Sequence, residues 1–280
     1  MIKNQIKTVI LLGALTGLLL GAGQLLGGRQ GLFIGLAFAV VMNFGSYWFS
    51  DKIVLAMYRA KEIKHSDNPE LYNLVKEVSQ LANLPIPKVY IVPTNNPNAF
   101  ATGRNPKNAV VALTLGILKL LNKEELKGVI AHEISHIKNR DILIQTVAAT
   151  IAAIISYVAF MARFAAIFGG GRREGGRGLE LLVLAILTPI IAMLLQLAIS
   201  RAREYLADES GAKLIKNPKA LASALYKLGA ANKMFPLKFG NRTTEGMFIV
   251  NPFKGGGLFA LFSTHPPMEK RIQKLKEMKI

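Results

Sequence analysis

Cysteine is absent from the 280 residues, which excludes disulfides, thiol nucleophiles and thiolate metal ligands at once. Acidic residues are scarce: 17 Asp and Glu stand against 35 Lys and Arg, a formal net charge of +18. Such a balance suits nucleic acid, anionic lipid or the cytoplasmic flanks of membrane spans. No nucleic-acid motif accompanies the basic residues, and they crowd the edges of apolar runs. A lipid-facing reading is therefore preferred, and no nucleic-acid partner is expected. Histidine is scarce too, with His65, His132, His136 and His265 making the whole census. No internal repeat is found.

What is abundant is apolar surface: 51% of residues, with a mean hydropathy of +0.32, more than an ordinary soluble domain carries. Thr8 to Leu26 and Gly31 to Phe49 are each long enough to cross a hydrocarbon core of about 30 Å as a helix. The short Gly27-Gly28-Arg29-Gln30 link makes them a hairpin. Lys3 and Lys7 before the first run also fit a cleaved signal peptide, but the run exceeds the usual roughly 7 to 15 residues of a signal core and a second span follows at once. An uncleaved anchor is preferred. Ile142 to Phe164 and Leu179 to Ile199 form a second pair, in which Gln145 and Gln196 must face protein or water if the runs span; buried core helices or a part-way hairpin are the competing reading.

The expected architecture is thus a mainly α membrane protein with four transmembrane helices and a polar α+β body containing a small sheet. Its parts are an N-terminal hairpin (1–50), a first polar part (51–141), a second hairpin (142–199) and a second polar part (200–280). Lys3, Lys7, Lys52, Arg59, Lys61, Lys64, Lys138, Arg140, Arg201 and Arg203 fall on one side of the spans, which should be cytoplasmic. The opposite loops hold Arg29, Arg172, Arg173 and Arg177. In the polar parts a helix is expected around Asn68 to Leu81, strands at Val89 to Val92 and Ala109 to Leu113, and a helix opened by the capping-box pair Asn122 and Glu125. Further on, Ser200 to Leu228 reads as helix broken near Asn217-Pro218, Ala230 to Gly257 as loop, and Pro267 to Met278 as a closing amphipathic helix with Ile272 and Leu275 inward.

His132-Glu133-Ile134-Ser135-His136 has the H-E-x-x-H spacing on that capped helix. Residues four apart on a helix differ by roughly 40° and about 6 Å of rise, so both imidazoles share one face and can hold one ion, while Glu133 stands about 100° away. That places Glu133 as a base for water, beside a zinc that keeps three protein ligands and one open position. With no further His adjacent, a carboxylate is the candidate third ligand. In Ser200-Arg201-Ala202-Arg203-Glu204-Tyr205-Leu206-Ala207-Asp208, Glu204 and Asp208 share a helix face, Glu204 as ligand and Asp208 as the group that orients a ligand histidine. The bland alternative pairs both acids with Arg201 and Arg203. Two spans between His136 and Glu204 return the chain to the side it left.

These residues resemble the HtpX-type membrane zinc endopeptidases, relatives of the CAAX prenyl-protein proteases. The likeness runs from the N-terminal hairpin through Asn98-Ala99-Phe100-Ala101, His132 to His136, Asn139-Arg140-Asp141, Arg203-Glu204-Tyr205-Leu206-Ala207-Asp208 and Met247 to Pro252, to Ser263-Thr264-His265-Pro266-Pro267-Met268-Glu269-Lys270-Arg271-Ile272. The resemblance implies a gluzincin-like catalytic domain with one Zn2+ per chain, Glu204 as third ligand, and cleavage of misfolded or selected membrane proteins at the cytoplasmic face of the inner membrane. It also implies that Asn98, Ala99, Phe100 and Ala101 form an edge strand for substrate backbone. His265 and Arg271 match a segment that can stabilise an oxyanion; the other reading has Arg271 pairing to an acid and His265 fixing a turn. The Gly/Arg-rich stretch 169–178 matches no motif. A non-catalytic, metal-stabilised membrane chaperone or scaffold is the alternative from another class. A transporter is weaker, because the ligands adjoin polar segments rather than span centres. Oligomeric state is not legible.

Overall fold

The computed structural model describes residues 2–147, 150–151, 201–237, 239–253 and 266–280. The third and fourth apolar runs beyond residue 151, the stretch 169–178 and His265 lie outside the described residues.

Helix α1 (Ile2–Met57) is a helical run that reverses at Gly28, whose φ of +55° suits a residue without a Cβ. Its two arms lie side by side. The Asn43 amide donates to Thr16 Oγ1 at 2.8 Å and to the Leu12 carbonyl at 3.3 Å, whereas 31 residues of straight helix would hold Leu12 and Asn43 about 46 Å apart. At Gly23 and Gly31 the arms are so near that a Cβ on either would strike the other's carbonyl. Small residues with one polar clasp are what lets helices associate where no hydrophobic drive exists. The arm Gly28–Met57 is long and apolar enough to cross a membrane, and Phe33, Phe38, Val41 and Phe44 along it are exposed.

The polar body begins with strand β1 (Lys61–Ile63) and helix α2 (Pro69–Leu81), whose N-terminus is capped by the Asn68 side chain with Pro69 at the first position. Strands β2 (Lys88–Val92), β3 (Ala99–Gly103) and β4 (Ala109–Thr114) complete a four-stranded sheet of order β1-β2-β4-β3. β2 and β4 are parallel, and β3 is an antiparallel edge strand. Both faces of the sheet are covered, which is why Ala109-Val110-Val111-Ala112-Leu113 reads as a continuous apolar run. Val111 and Leu113 join the main core with α2, while Val110, Ala112 and Phe100 pack on Val54 and Tyr58 at the end of α1 and on Phe248.

After the short α3 (Leu115–Leu120) comes α4 (Lys123–Lys138), opened by the capping box: Asn122 Oδ1 accepts from the Glu125 N–H at 2.9 Å, and Glu125 Oε2 from the Asn122 N–H at 3.0 Å. Glu125 also receives Ser223 and Lys227, tying α4 to α6 (Pro218–Met234). Arg140, at φ +58°, turns the chain so that residues 141–147 are again helical. Gln145 and Thr146 there are buried, so these polar groups face protein. Helix α5 (Arg201–Ile215) packs along α4, and α7 (Met268–Glu277) closes the body with Leu275 buried and Ile272 half-buried. One core draws on residues 71–142 and 212–275 together.

One expectation is corrected. The loop expected from Ala230 begins only after Met234, because the Ala-Ala-Asn-Lys-Met run continues the helix past Gly229 and Asn232 is buried within it. A 3-10 turn (Arg242–Met247) then leads to a segment that pairs with β3.

Candidate metal centre

Helix α4 is buried along nearly its whole second half, from Gly128 to Ile137. Helix α5 turns Glu204, Asp208 and Gly211 toward it, positions i, i+4 and i+7 of one stripe. Gly211 permits the approach: a Cβ there would come 2.8 Å from the His132 nitrogen and 3.0 Å from the Ala131 carbonyl carbon.

Across this contact His132 Nε2 and His136 Nε2 stand 3.2 Å apart. Glu204 Oε1 is 3.4 Å from His136 Nε2, and Glu204 Oε2 is 3.7 Å from His132 Nε2. One ligand atom from each of the three lies within 4.8 Å of the others. Ligands about 2.0–2.1 Å from a tetrahedral zinc are separated by about 3.4 Å, so the spacings, as well as the residue types, fit a divalent ion.

Each imidazole is backed by a carboxylate at its other nitrogen. His132 Nδ1 lies 2.9 Å from Asp208 Oδ1, and His136 Nδ1 3.3 Å from Asp141 Oδ2. Both rings are thereby held with Nε2 toward the ion position. Asp208 is itself gripped by Arg271, which also donates from Nη1 to the Ile249 carbonyl at 2.8 Å and comes within 3.5 Å of Glu204 Oε2. Arg271 is fully buried, and what it pairs with is Asp208. In the sequence Asp141 stands out only as the last residue of Asn139-Arg140-Asp141. Its contact with His136 depends on the left-handed turn at Arg140, which no periodicity signals.

Burial raises the Glu133 carboxyl to about 8, with Glu204 adding to the effect. Burial alone lowers the pKa of both imidazoles. For His136 it is outweighed by Asp141, Glu204 and Glu133, which lift it to about 10, whereas His132 stays lowered despite Asp208. Burial also opposes ionisation of Asp208, but Arg271 and His132 hold it below the usual carboxylate range. A bound cation would draw the values of both imidazoles and of the neighbouring Glu133 down, which favours the ionised carboxylate.

The edge strand stands over α4. Ala99, Ala101 and Gly103 direct their backbone groups outward, since the Ala99 carbonyl accepts from Ile249 N at 3.1 Å and strand residues alternate. Asn98 donates to the Val250 carbonyl at 2.7 Å, and Phe100 bridges Phe248. The chain's own segment thus takes up the first half of the edge. Glu133 lies against the backbone N–H of Ala101, and its Oε1 makes no hydrogen bond among the described residues.

The family model for peptidase family M48 matches residues 65–279. The chain belongs to peptidase family M48. Among M48 relatives, a "Protease HtpX homolog" of Syntrophotalea carbinolica is 56% identical over 280 residues, covering 99% of both chains. Another, of Pyrococcus furiosus, is 54% identical over 275 residues, covering 98% of this chain and 95% of the relative. The crystal structure of S. mikatae Ste24p matches with a TM-score of 0.55 at 18% identity, covering 98% of this chain and 66% of that longer one; that likeness is one of fold. As an M48 member with HtpX-type relatives across its length, the protein is a membrane-associated metalloprotease, and His132, His136 and Glu204 form its potential metal site.

Proposed function

We propose that the protein is a zinc-dependent endopeptidase of the inner membrane that cuts misfolded or selected membrane proteins at the cytoplasmic face, as part of envelope quality control. The observation that carries the chemistry is the convergence of His132 Nε2, His136 Nε2 and a Glu204 oxygen at separations of 3.2–3.7 Å. They are the proposed ligands of one Zn2+ per chain. When bound, zinc supplies Lewis acidity toward a peptide carbonyl and makes a water acidic near neutral pH.

The chain's own residues supply the rest. Glu133 is the proposed base: its buried Oε1 accepts a proton from the attacking water and returns it to the leaving amine. Asp208 and Asp141 hold the two imidazoles, and Arg271 holds Asp208 in its charged form. A substrate strand would add to β3 beyond the point where Phe248 pairs, running along Ala101 toward Gly103, so its backbone passes Glu133. Backbone pairing favours broad specificity. Residues 51–141 and 200–280 are proposed as one catalytic body, with 1–50 and 142–199 as two membrane hairpins that bring Glu204 back to the side of His136.

The deciding variant is Glu133→Gln. It is expected to retain zinc while losing cleavage of a membrane-protein substrate by at least about 100-fold. Undiminished cleavage would remove Glu133 from the mechanism. A wild-type protein that holds zinc but cleaves neither unfolded nor membrane substrates would favour the chaperone reading.

A further inference from the structure

Where the exposed apolar arm of α1 ends, aromatic and basic side chains gather. Trp48 and Phe49 are partly exposed, and Lys52 Nζ lies 5.4 Å from the centre of the Phe49 ring. The Arg104 guanidinium lies 4.4 Å from the centre of the Trp48 ring. Arg104 belongs to the turn between β3 and β4, so this contact sets the turn against the end of the apolar arm.

The turn is stiff. Gly103 has φ +131° and sits where a Cβ would strike the Asn108 backbone. Asn105 Oδ1 accepts both the Asn108 backbone N–H at 3.0 Å and its side-chain amide at 2.9 Å. Lys107, within this turn, is exposed. Among the described residues no carboxylate pairs with Lys52, Arg104 or Lys107.

Tryptophan and basic residues at the end of an apolar run mark a membrane–water boundary. An arginine held against a ring face keeps edge N–H donors suited to phosphate. We propose that Lys52, Arg104 and Lys107 form a binding site for the headgroup phosphate of acidic phospholipids. The lipid would fix the β3–β4 turn at the bilayer surface and with it the open end of the edge strand whose Ala101 adjoins Glu133. This rests on the reading of Gly28–Met57 as a bilayer span.

Trp48 is the chain's single tryptophan and so reports this site directly. The full chain is reconstituted in vesicles containing equal mole fractions of phosphatidylglycerol and phosphatidylcholine, with either one brominated on its acyl chains near the headgroup. Quenching by the brominated acidic lipid is expected to exceed that by the zwitterionic one by at least about two-fold, and to fall to parity in the Arg104→Gln/Lys107→Gln variant. Equal quenching by both lipids in the wild type overturns the proposal, as does an excess that the double variant leaves untouched. Quenching by neither lipid places Trp48 away from the bilayer, which overturns the spanning reading and this proposal together.

Discussion

Arg271 and Asp208 are joined side by side by two hydrogen bonds of 2.7 Å, from Nε to Oδ2 and from Nη2 to Oδ1. The same Oδ1 of Asp208 also meets His132 Nδ1, at 2.9 Å. The C-terminal helix α7 is thereby connected through one carboxylate to a proposed zinc ligand on α4, although nothing on α7 need touch the ion.

Asp208→Asn is expected to lower zinc affinity about 10- to 100-fold, because the amide orients His132 without raising its basicity. Arg271→Lys should show a loss in the same direction, since an ammonium cannot reproduce the paired donors. Arg271→Ala leaves Asp208 buried and uncompensated, at a cost of about 3–5 kcal/mol in stability. Competition with a chelator of known affinity, beside thermal unfolding, separates the two effects. Wild-type zinc affinity in Asp208→Asn would show that the carboxylate has no bearing on the site.

Gly211→Val tests the helix contact itself. The added side chain meets the α4 backbone at His132 and Ala131, so the helices must separate and carry Glu204 away from the imidazoles. A stability loss of about 1–3 kcal/mol is expected, together with weaker zinc binding. The same substitution at Gly45, where an added Cβ meets nothing, is the control and should leave zinc binding unchanged.

Glu125 gives the protein a pH dependence away from the metal. Burial opposes its ionisation, but hydrogen bonds from Lys227, Ser223 and the Asn122 N–H hold its pKa below the ordinary value. A lowered folded pKa means that this contribution is fully present above the ordinary carboxylate range and is lost as pH falls through the folded value. Glu125→Gln should therefore destabilise by about 1 kcal/mol at neutral pH and narrow the difference from wild type in acid. Denaturant titrations from neutral pH to about pH 3 follow it; a difference that does not change with pH contradicts the assignment.

Much of the site was legible in the sequence because it is written locally. His132, Glu133 and His136 share a helix turn, the Asn122 and Glu125 box marks that helix's start, and Glu204 and Asp208 repeat at a helical spacing. What was not legible depends on long-range geometry. β1 is three residues long and has no pattern of its own, and β3, expected as an edge strand only through the family resemblance, exists as a strand because β4 pairs with it. The contact of Asp141 with His136 requires Arg140 in a left-handed conformation, and the burial of Arg271 requires α7 to dock over Asp208. The extension of α6 to Met234 was hidden by Gly229, which reads as a helix end until Asn232 is seen hydrogen-bonded to the Pro97 carbonyl and to Asn96.

The most direct test of the central claim is the zinc content of the purified full-length protein after dialysis against a weak chelator, in wild type, His136→Ala and Glu204→Ala. One ion per chain in wild type and close to none in either variant is the expected result. Full zinc retention by Glu204→Ala would contradict the two-helix site, because it would leave the metal on α4 alone.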